Sequence, residues 1–492
     1  MQGTITEYPT PTPNASPFGI TNGGPGVVWF TESNTSKIAR LTIPVTGPTQ
    51  EQDPHQTCPG GKFREFHQNL PDPFKRDFRR IILGPDGALW ITDNISNPSD
   101  PSPIPTGEIV RATTKGSFTE FPLPIGDVPS HITVGPDGAL WFTVNDFNFK
   151  GSPQDKIGRM TTSGQLTEFP VPCTQATGVG CSLQGITSGP DGNLWFTSSL
   201  NGFGRITPSG DITLFNGPTG LNIISGPDGN LWYIDPTNPG IVRVTPTGSY
   251  QEYAFPVFFP GRLNIDVGIT AGPGGKIWLS GDLAIGSLDP GTLQVRVYPI
   301  PYVTDTSEIV DAGDGTLAII GSNSIARLDP ATGISTEYPT PTFVSRAFGL
   351  VAVKEREVWF TENNVDQIGH LMLPVKVIGV PPPPTTPTPT PTPLPSAMMS
   401  LNPTSMQFSS CNAPINFTFD LINSGGVSAV KWAASTNTPG AYTLTPSAGQ
   451  LLGIPAQVTI TVQGVSAASQ ITISWQDSNG NTGKLVFTMT CG

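Results

Sequence analysis

The sequence predicts an all-β protein built largely from repeated four-stranded units. A phrase centred on Trp recurs eight times, once with Ala in place of the Trp, and a Gly-rich or Pro-Asp-Gly turn precedes most copies. The chain contains 56 Gly and 54 Pro, and only 13% of its residues are charged. Because Gly and Pro interrupt helices and favour tight turns, this composition predicts many short strands.

Each repeat has the same order of four strands, named a, b, c and d. HITV (131–134) is a typical strand a, the Trp strand is b, and KIGRMT (156–161) and LTEFP (166–170) are c and d. One such sheet cannot bury both of its faces, so we interpret the Trp as the residue that packs between stacked sheets. The copies are GPGVVWFTE (24–32), GPDGALWITD (84–93), GPDGALWFTV (135–144), GPDGNLWFTS (189–198), GPDGNLWYID (226–235), GPGGKIWLSG (272–281), AGDGTLAIIG (312–321) and KEREVWFTE (354–362).

The two ends of the repeat region predict a closed ring. The chain opens with a lone strand d, TITEYP (4–9), whereas the last repeat supplies only a, b and c. Pairing of these ends would complete the last unit and remove an open sheet edge. We therefore expect an eight-bladed β-propeller over residues 1–374, with seven blades as the alternative if the degenerate repeat at 295–333 is not a blade.

Two further segments follow the repeats. Residues 375–395 are rich in Pro and Thr, which predicts an extended polyproline linker. Residues 396–492 contain six or seven short alternating runs, which predict an immunoglobulin-like β-sandwich. The phrases LNPTSMQFS, KWAAS and TPSAGQLLG resemble the BACON-type family of bacterial surface modules. This resemblance implies carbohydrate or mucin binding.

Composition and charge restrict the partners. The net charge of −12 disfavours nucleic acid, because phosphate binding needs clustered Lys and Arg. No apolar run is long enough to predict a membrane span. We expect a secreted or cell-surface bacterial protein, although no signal peptide is visible in this numbering.

The five cysteines favour an oxidising compartment. Cys173 and Cys181 share one loop, and Cys411 and Cys491 bracket the C-terminal domain, so we predict two disulfides. Cys58 is left without an assigned role. Five buried thiols in a cytosolic protein are the alternative.

The repeated phrases resemble the virginiamycin B lyase (streptogramin lyase) family over residues 4–374. The resemblance implies a β-propeller and a metal-dependent enzyme that opens a lactone ring by elimination. It also implies histidines at the start of strand a and glutamates at the end of strand b. The positions that match the histidine hold Phe18, Arg79, Ser130, Gln184, Leu221, Val267, Ser307 and Phe348. None is His, so we predict no catalytic residues.

His131 lies one residue after a matching position. Because successive strand residues point to opposite faces, we expect its side chain to turn away from the site of the lyases. We therefore interpret His131 as a structural residue, with a catalytic role as the minor alternative.

The glutamate position is acidic in four repeats. Carboxylates crowded at the mouth of a propeller repel one another, which favours a bound divalent cation such as Mg or Ca, or a basic group of a partner. A solvated acidic rim is the alternative. The four residues are Glu32, Asp93, Asp235 and Glu362.

Long connections are concentrated on one edge of the predicted propeller. This edge, named the loop face, is formed by the d–a and b–c connections, including 67–78, 94–107, 145–155 and 170–183. Long loops on a rigid scaffold often carry binding sites. The aromatic residues that we predict to bind a carbohydrate or protein ligand there are Phe74, Phe78, Phe147, Phe149, Phe258 and Phe259, with packing inside the loops as the alternative.

Three functions are compatible with these sequence features. We favour a secreted or cell-surface, non-enzymatic binding or scaffold protein that uses the loop face, with the linked sandwich for anchoring or adhesion. One alternative is a subunit of an extracellular filament, in which the sandwich docks on the propeller of another copy. The other is a metal-dependent lyase of the streptogramin type.

Overall fold

The structure is a computed structural model whose residues fall into two compact units, Met1–Lys376 and Val377–Gly492. The predicted linker, 375–395, lies outside the described residues. Within the described residues, no helix is long and apolar enough to cross a membrane. The description covers 3–374 and 399–491 except for 44–60, 68–74, 97–103, 148–153, 173–179, 238–239, 255–267, 282–283, 301–307, 322, 343–345, 355, 403–404, 409–414, 424–428, 437–442, 446–447, 453–455, 466–468 and 478–481.

The described part of the first unit contains eight antiparallel sheets of four strands each. Short alternating runs between Gly-containing turns form these strands, as their composition favours. We number the sheets 1 to 8 along the chain, and within each one the spatial order is a-b-c-d.

Sheets 1 to 4 follow one another after the first strand. The strands are β1 (Ile5–Pro9); β2 (Pro17–Asn22), β3 (Val27–Glu32), β4 (Lys37–Thr42) and β5 (Lys62–His67) in sheet 1; β6 (Lys75–Leu83), β7 (Leu89–Ser96), β8 (Thr106–Ala112) and β9 (Phe118–Pro122) in sheet 2; β10 (Asp127–Val134), β11 (Leu140–Asp146), β12 (Lys156–Met160) and β13 (Leu166–Pro170) in sheet 3; and β14 (Leu183–Ser188), β15 (Leu194–Ser198), β16 (Gly202–Ile206) and β17 (Ile212–Phe215) in sheet 4.

Sheets 5 to 8 repeat this order, and one 3₁₀ turn, Pro273–Gly275, lies in sheet 6. The strands are β18 (Ile223–Ser225), β19 (Leu231–Asp235), β20 (Gly240–Val244) and β21 (Tyr250–Ala254) in sheet 5; β22 (Ile269–Gly272), β23 (Lys276–Gly281), β24 (Ala284–Leu288) and β25 (Val295–Pro299) in sheet 6; β26 (Ile309–Asp311), β27 (Leu317–Ile320), β28 (Ser324–Asp329) and β29 (Ile334–Pro339) in sheet 7; and β30 (Ala347–Lys354), β31 (Glu357–Glu362) and β32 (Gln367–Met372) in sheet 8.

The first strand of the chain belongs to the last sheet. Strand β1 pairs antiparallel with β32, and Tyr8 of β1 stacks on Trp359 with 6.0 Å between ring centroids. In sheet 2 the aromatic residue of strand d, Phe121, stacks on Trp90 in the same way at 5.8 Å. Strand β1 therefore takes the place of strand d in sheet 8.

A buried Trp is fixed by the turn that precedes it in sheets 2 to 5. In sheet 3, Asp137 accepts hydrogen bonds from Trp141 Nε1 at 2.9 Å and from Arg159 Nε at 2.7 Å. The Arg159 guanidinium also lies over the Trp141 ring, 5.8 Å from its centroid. Burial opposes ionisation of Asp137, but these two donors outweigh it and lower the pKa of the carboxyl group. The equivalent residues are Asp86, Trp90 and Arg111; Asp191, Trp195 and Arg205; and Asp228, Trp232 and Arg243.

A hydroxyl group two residues after the Trp links one sheet to the next. In sheet 3, Thr143 Oγ1 accepts a hydrogen bond from the N–H of His131 at 3.1 Å and donates to the carbonyl of Gln184 in sheet 4 at 2.9 Å. In sheet 8, Thr361 Oγ1 donates to the carbonyl of Phe18 in sheet 1 at 2.9 Å. The same kind of contact thus joins neighbouring sheets and the last sheet to the first.

These threonines accompany a β-bulge in strand a. The pairing of β10 with β11 shifts register between Pro129 and Ile132, and sheets 1, 2, 4 and 8 show a shift at the same place. A bulge leaves backbone groups unpaired in the ladder, and the hydroxyl group satisfies one of them. In sheet 7, Ile320 replaces the Thr, and its backbone N–H donates to the carbonyl of Glu308 at 3.1 Å. The pairing of β26 with β27 there has no register shift.

The second unit contains two sheets in its described residues. Strand β40 (Ser469–Asp477) buries Ile471 and Ile473 and leaves Ser474 exposed, as expected for a sheet with one apolar face. One sheet holds β33 (Met399–Asn402), β35 (Ile415–Asn423), β37 (Thr443–Thr445) and β39 (Ala456–Val465), and the other holds β34 (Ser405–Phe408), β36 (Ala429–Thr436), β38 (Ala448–Leu452), β40 (Ser469–Asp477) and β41 (Thr482–Cys491), with β34 and β41 parallel.

Replacing Thr143 by Val should destabilise the first unit. The substitution keeps the shape of the side chain but leaves the N–H of His131 and the carbonyl of Gln184 without this partner, at a cost of about 1–3 kcal/mol. We expect a lower thermal midpoint for Thr143→Val, measured by calorimetry. Thr119→Val, at an exposed position of β9, is the matched control. Equal midpoints for the two variants would contradict the proposed link.

Candidate functional site

Strands a from five sheets line one cavity of about 200 Å³. Its lining includes Phe18 of sheet 1, Arg80 of sheet 2, His131 of sheet 3, Glu308 of sheet 7 and Phe348 of sheet 8. Sheets 2 and 7 are not neighbours along the chain, so the cavity lies where the inner strands of the unit converge.

Four polar residues share one position of the repeat, ten residues before the Trp or its Ala replacement. In the other four sheets this position is Gly, as at Gly19 and Gly349. A Cβ atom at Gly19 would lie 2.4 Å from the carbonyl oxygen of Arg79, and one at Gly349 would lie 2.6 Å from that of Phe18. The close approach of neighbouring strands explains these glycines. The four exceptions, named the polar cluster, are Arg80, His131, Asn222 and Glu308.

The members of the polar cluster contact one another. Arg80 Nη2 lies 3.4 Å from His131 Nε2, and Arg80 Nη1 lies 3.5 Å from Glu308 Oε1. The other carboxylate oxygen of Glu308 accepts a hydrogen bond from the N–H of Leu350 at 2.7 Å. Opposite charges from sheets 2 and 7 therefore face the same cavity.

His131 is neutral in this environment. Burial and the positive charge of Arg80 lower the pKa of His131 to about 3, against a hydrogen bond with Asn222 that raises it. A guanidinium group has only donors, so His131 Nε2 accepts from Arg80. His131 Nδ1 then carries the proton and donates to Ser130 Oγ at 3.2 Å.

The expectation that His131 turns away from the site is wrong. His131 lines the same cavity as Phe18 and Phe348, two of the residues at the positions of the lyase histidines. The bulge between Pro129 and Ile132 breaks the strict alternation on which the expectation was based. The sequence does contain a signal for this site. Arg80, Asn222 and Glu308 replace Gly at the same position of the repeat, ten residues before the Trp or its Ala replacement.

An aromatic pair occupies two of the positions at which the family resemblance implies His. The rings of Phe18 and Phe348 lie 4.3 Å apart between centroids, and the Arg79 guanidinium lies over Phe18 at 5.4 Å. These side chains offer no group that takes up a proton near neutral pH.

The four acidic residues at the end of strand b are buried, which corrects the prediction of an acidic rim. Strand b lies inside its sheet, and its side chains point alternately to the two neighbouring sheets. Phe30, for example, packs with Trp359 of sheet 8, and a side chain two residues later lies on the same face. The exposed fractions are 0% for Glu32, Asp93 and Glu362 and 1% for Asp235.

Hydrogen bonds within their own sheets hold two of these acidic residues. Asp235 Oδ1 accepts hydrogen bonds from the N–H and hydroxyl of Thr237 at 2.8 and 2.6 Å. Glu32 accepts from Thr35 Oγ1 at 3.0 Å. Burial, together with the charge of Glu65, raises the pKa of Glu32 to about 7.

Asp93 belongs to a buried group with one cation. Arg76, which is 2% exposed, donates to Asp93 Oδ2 at 2.9 Å and also contacts Glu108 and Glu120. Burial raises the pKa of Asp93 to about 8, the charge of Arg76 opposes the shift, and Glu108 adds to it. Burial also raises the pKa of Glu108, so Asp93 and Glu108 titrate together beside one guanidinium group.

The residues present do not fit the metal site that the resemblance implies. The described part of the chain has no group of three or more His, Cys, Asp or Glu side chains arranged to hold a metal ion. The acidic residues are dispersed among sheets, and the histidine positions are filled by other types.

The aromatic residues predicted to bind a ligand lie in different environments. Phe78 is fully buried in the core between sheets 1 and 2, so its assignment to a binding loop is wrong. Phe147 is 39% exposed on the loop face, and its N–H donates to the carbonyl of Gly126 at 2.8 Å. Phe74, Phe149, Phe258 and Phe259 lie outside the described residues.

The structure describes only one cysteine of the predicted pair Cys173–Cys181. Cys181 is disulfide-bonded and buried. Its predicted partner, Cys173, lies outside the described residues, as do Cys58 and Cys411. The pairings Cys173–Cys181 and Cys411–Cys491 therefore stay predictions.

Comparison with known proteins places this geometry in a family. The profile of the Virginiamycin B lyase family matches residues 56–257 and 181–390, which together cover more than half of the chain. The chain belongs to the virginiamycin B lyase family. Its first unit, with eight four-stranded antiparallel sheets, is a β-propeller, as membership of this family implies.

Solved structures of family members show the degree of likeness. Selenomethionine-substituted virginiamycin B lyase from Staphylococcus aureus is 25% identical, with 76% of this chain and 100% of that chain covered and a TM-score of 0.47. A streptogramin B lyase structure is 24% identical, with 76% and 99% covered and a TM-score of 0.46. A search of curated proteins gave no match.

Replacing Glu32 by Gln should stabilise the protein at high pH. The folded state raises the pKa from 4.5 to about 7, so ionisation of Glu32 destabilises the fold increasingly between these values, and the penalty is complete above pH 7. We expect Glu32→Gln to raise stability at pH 8 by on the order of 1–3 kcal/mol.

The measurement is the difference in thermal midpoint between Glu32→Gln and the wild type at pH 5 and pH 8. Glu252→Gln, at an exposed site on β21, controls for the loss of one charge. A difference that is the same at both pH values would refute the destabilising role of the ionised Glu32.

Proposed function

We propose that this member of the virginiamycin B lyase family is a secreted or cell-surface binding protein without lyase activity. Its loop face would hold a carbohydrate or protein ligand, and its second unit would serve in anchoring or adhesion. The observation that carries the proposal is the aromatic pair of Phe18 and Phe348 where the family resemblance implies histidines.

Loss of the lyase reaction follows from the chemistry of this pair. Elimination requires a base that takes a proton from the substrate. A phenyl ring has no basic atom and cannot serve as this base. His131 is adjacent, but its low pKa makes it a weak base whose Nε2 already accepts from Arg80. The cavity still has a volume of about 200 Å³ and an apolar wall formed in part by Phe18 and Phe348, and both properties suit ligand binding.

The loop face offers exposed apolar side chains for a ligand. Phe147 lies after strand b of sheet 3, and Ile125, 68% exposed, lies in the preceding d–a connection beside the Gly126 that Phe147 contacts. Leu200, 43% exposed, occupies the b–c turn of sheet 4. Apolar side chains exposed on one edge of adjacent sheets are typical of a binding surface.

A rigid scaffold supports such a surface. We propose that the eight sheets are eight blades and that β1 closes the ring. The pairing of β1 with β32 and the hydrogen bond from Thr361 to Phe18 support this arrangement. Closure removes an open sheet edge, so the loops project from a fixed base.

Two further features bear on the location of the protein and on the role of its second unit. The disulfide bond of Cys181 supports an oxidising compartment. The two sheets of the second unit support an immunoglobulin-like module of the BACON type.

Removal of residues 1–10 tests the closure of the ring. The deletion takes away β1, exposes the edge of β32 and removes the Tyr8 ring from Trp359. We expect a lower thermal midpoint and self-association of the truncated chain, seen by light scattering, because an unpaired edge strand recruits other chains. A monomer with the stability of the full chain would contradict closure by β1.

Replacement of Phe147 by Ser tests the binding surface. We expect the full chain to bind an oligosaccharide array or a mucin-coated surface, and Phe147→Ser to weaken that binding by about tenfold, because a large apolar contact is lost. Ile334→Ser, at a 64% exposed residue of β29, is the matched control. Equal binding by both variants would show that the ligand uses another surface.

A further inference from the structure

We propose that the cavity lined by Phe18, Arg80 and Glu308 binds a free α-amino acid with a branched apolar side chain. The carboxylate of the ligand would pair with Arg80 and its ammonium group with Glu308. The site goes beyond the binding of a glycan or protein on the loop face, and either one can be present without the other.

The charges in the cavity match the two ends of an amino acid. Arg80 supplies a guanidinium group, which suits a carboxylate, and Glu308 supplies a carboxylate, which suits an ammonium group. The two side chains are 39% and 32% exposed, and their contact of 3.5 Å is at the long limit for an ion pair with a hydrogen bond. A ligand that carries both charges can therefore improve the contacts of each group.

Two further contacts orient these charged groups. The N–H of Leu350 donates to Glu308 Oε2 at 2.7 Å and fixes that carboxylate against sheet 8. The imidazole of His131 accepts from Arg80 Nη2 and orients the guanidinium from the side of sheet 3. Neutral His131 adds no charge, so the cavity as a whole favours a ligand of zero net charge.

The rest of the cavity is apolar and of limited size. Phe18 and Phe348 form one part of the wall, and Ile81 and Ile132 belong to the lining next to the charged residues. A cavity of about 150 Å³ accommodates a benzene molecule, so 200 Å³ suits a slightly larger ligand with a compact apolar group. A leucine-sized side chain meets this limit, whereas an oligosaccharide does not.

The test uses the full chain and isothermal titration with three related probes. L-Leucine carries both charges, 4-methylpentanoate lacks the ammonium group, and 3-methylbutylamine lacks the carboxylate. We expect L-leucine to bind at least tenfold more tightly than either analogue, because each analogue leaves one charged group of the protein without its partner.

Variants of the protein test the assignment of the two ends. We expect Arg80→Gln and Glu308→Gln each to weaken L-leucine binding at least tenfold. Arg296→Gln, which removes a guanidinium at an exposed position of β25 outside the cavity lining, should leave it unchanged. Circular dichroism and thermal midpoints establish that each variant is folded.

Two results would overturn the proposal. One is the absence of L-leucine binding to the wild-type chain at millimolar concentration, and the other is binding of an analogue as tight as that of L-leucine. If a variant does not fold, the comparison of the three probes on the wild type still decides. The glycan and mucin assays with Phe147→Ser are independent, so failure of one proposal is distinguishable from failure of the other.

Discussion

The hydroxyl group two residues after the Trp holds two inner strands at once. In sheet 3 it accepts from the backbone of its own strand a and donates to the backbone of strand a in sheet 4. The same link from Thr361 reaches Phe18, so the last sheet is bonded to the first. These strands approach closely, and four of the eight positions beside the link are Gly for that reason. The spacing of the inner strands, and with it the central cavity, depends on this contact.

The bulge that accompanies the hydroxyl group determines what the cavity contains. Regular alternation would place Ser130 and His131 on opposite faces of β10, whereas the bulge lets His131 line the cavity. Four departures from Gly then bring a cation, an anion, an imidazole and an amide to one place. Burial and the charge of Arg80 keep His131 neutral, and Arg80 lies near Glu308. The cavity therefore contains a small polar centre beside two phenyl rings.

Much of the fold is readable from the sequence because its signals are local. Turn residues and period-two alternation define each four-stranded sheet, and the Trp at a fixed place in each phrase indicates the buried face. The side-chain environment is less readable because it depends on neighbouring sheets. Glu32 and Asp93 look like rim residues at the end of a strand, yet the adjacent sheets cover them. Phe78 looked like a loop aromatic for the same reason, and it lies in the core between sheets 1 and 2.

We propose that this member of the lyase family binds ligands without catalysing the lyase reaction. The most direct measurement is liquid chromatography of a streptogramin B antibiotic after incubation with the full chain and a divalent cation. Chromatography is needed because ring opening by elimination does not change the mass. We predict that the antibiotic elutes as the intact cyclic compound. Formation of the ring-opened product at a rate above that without protein would contradict the claim.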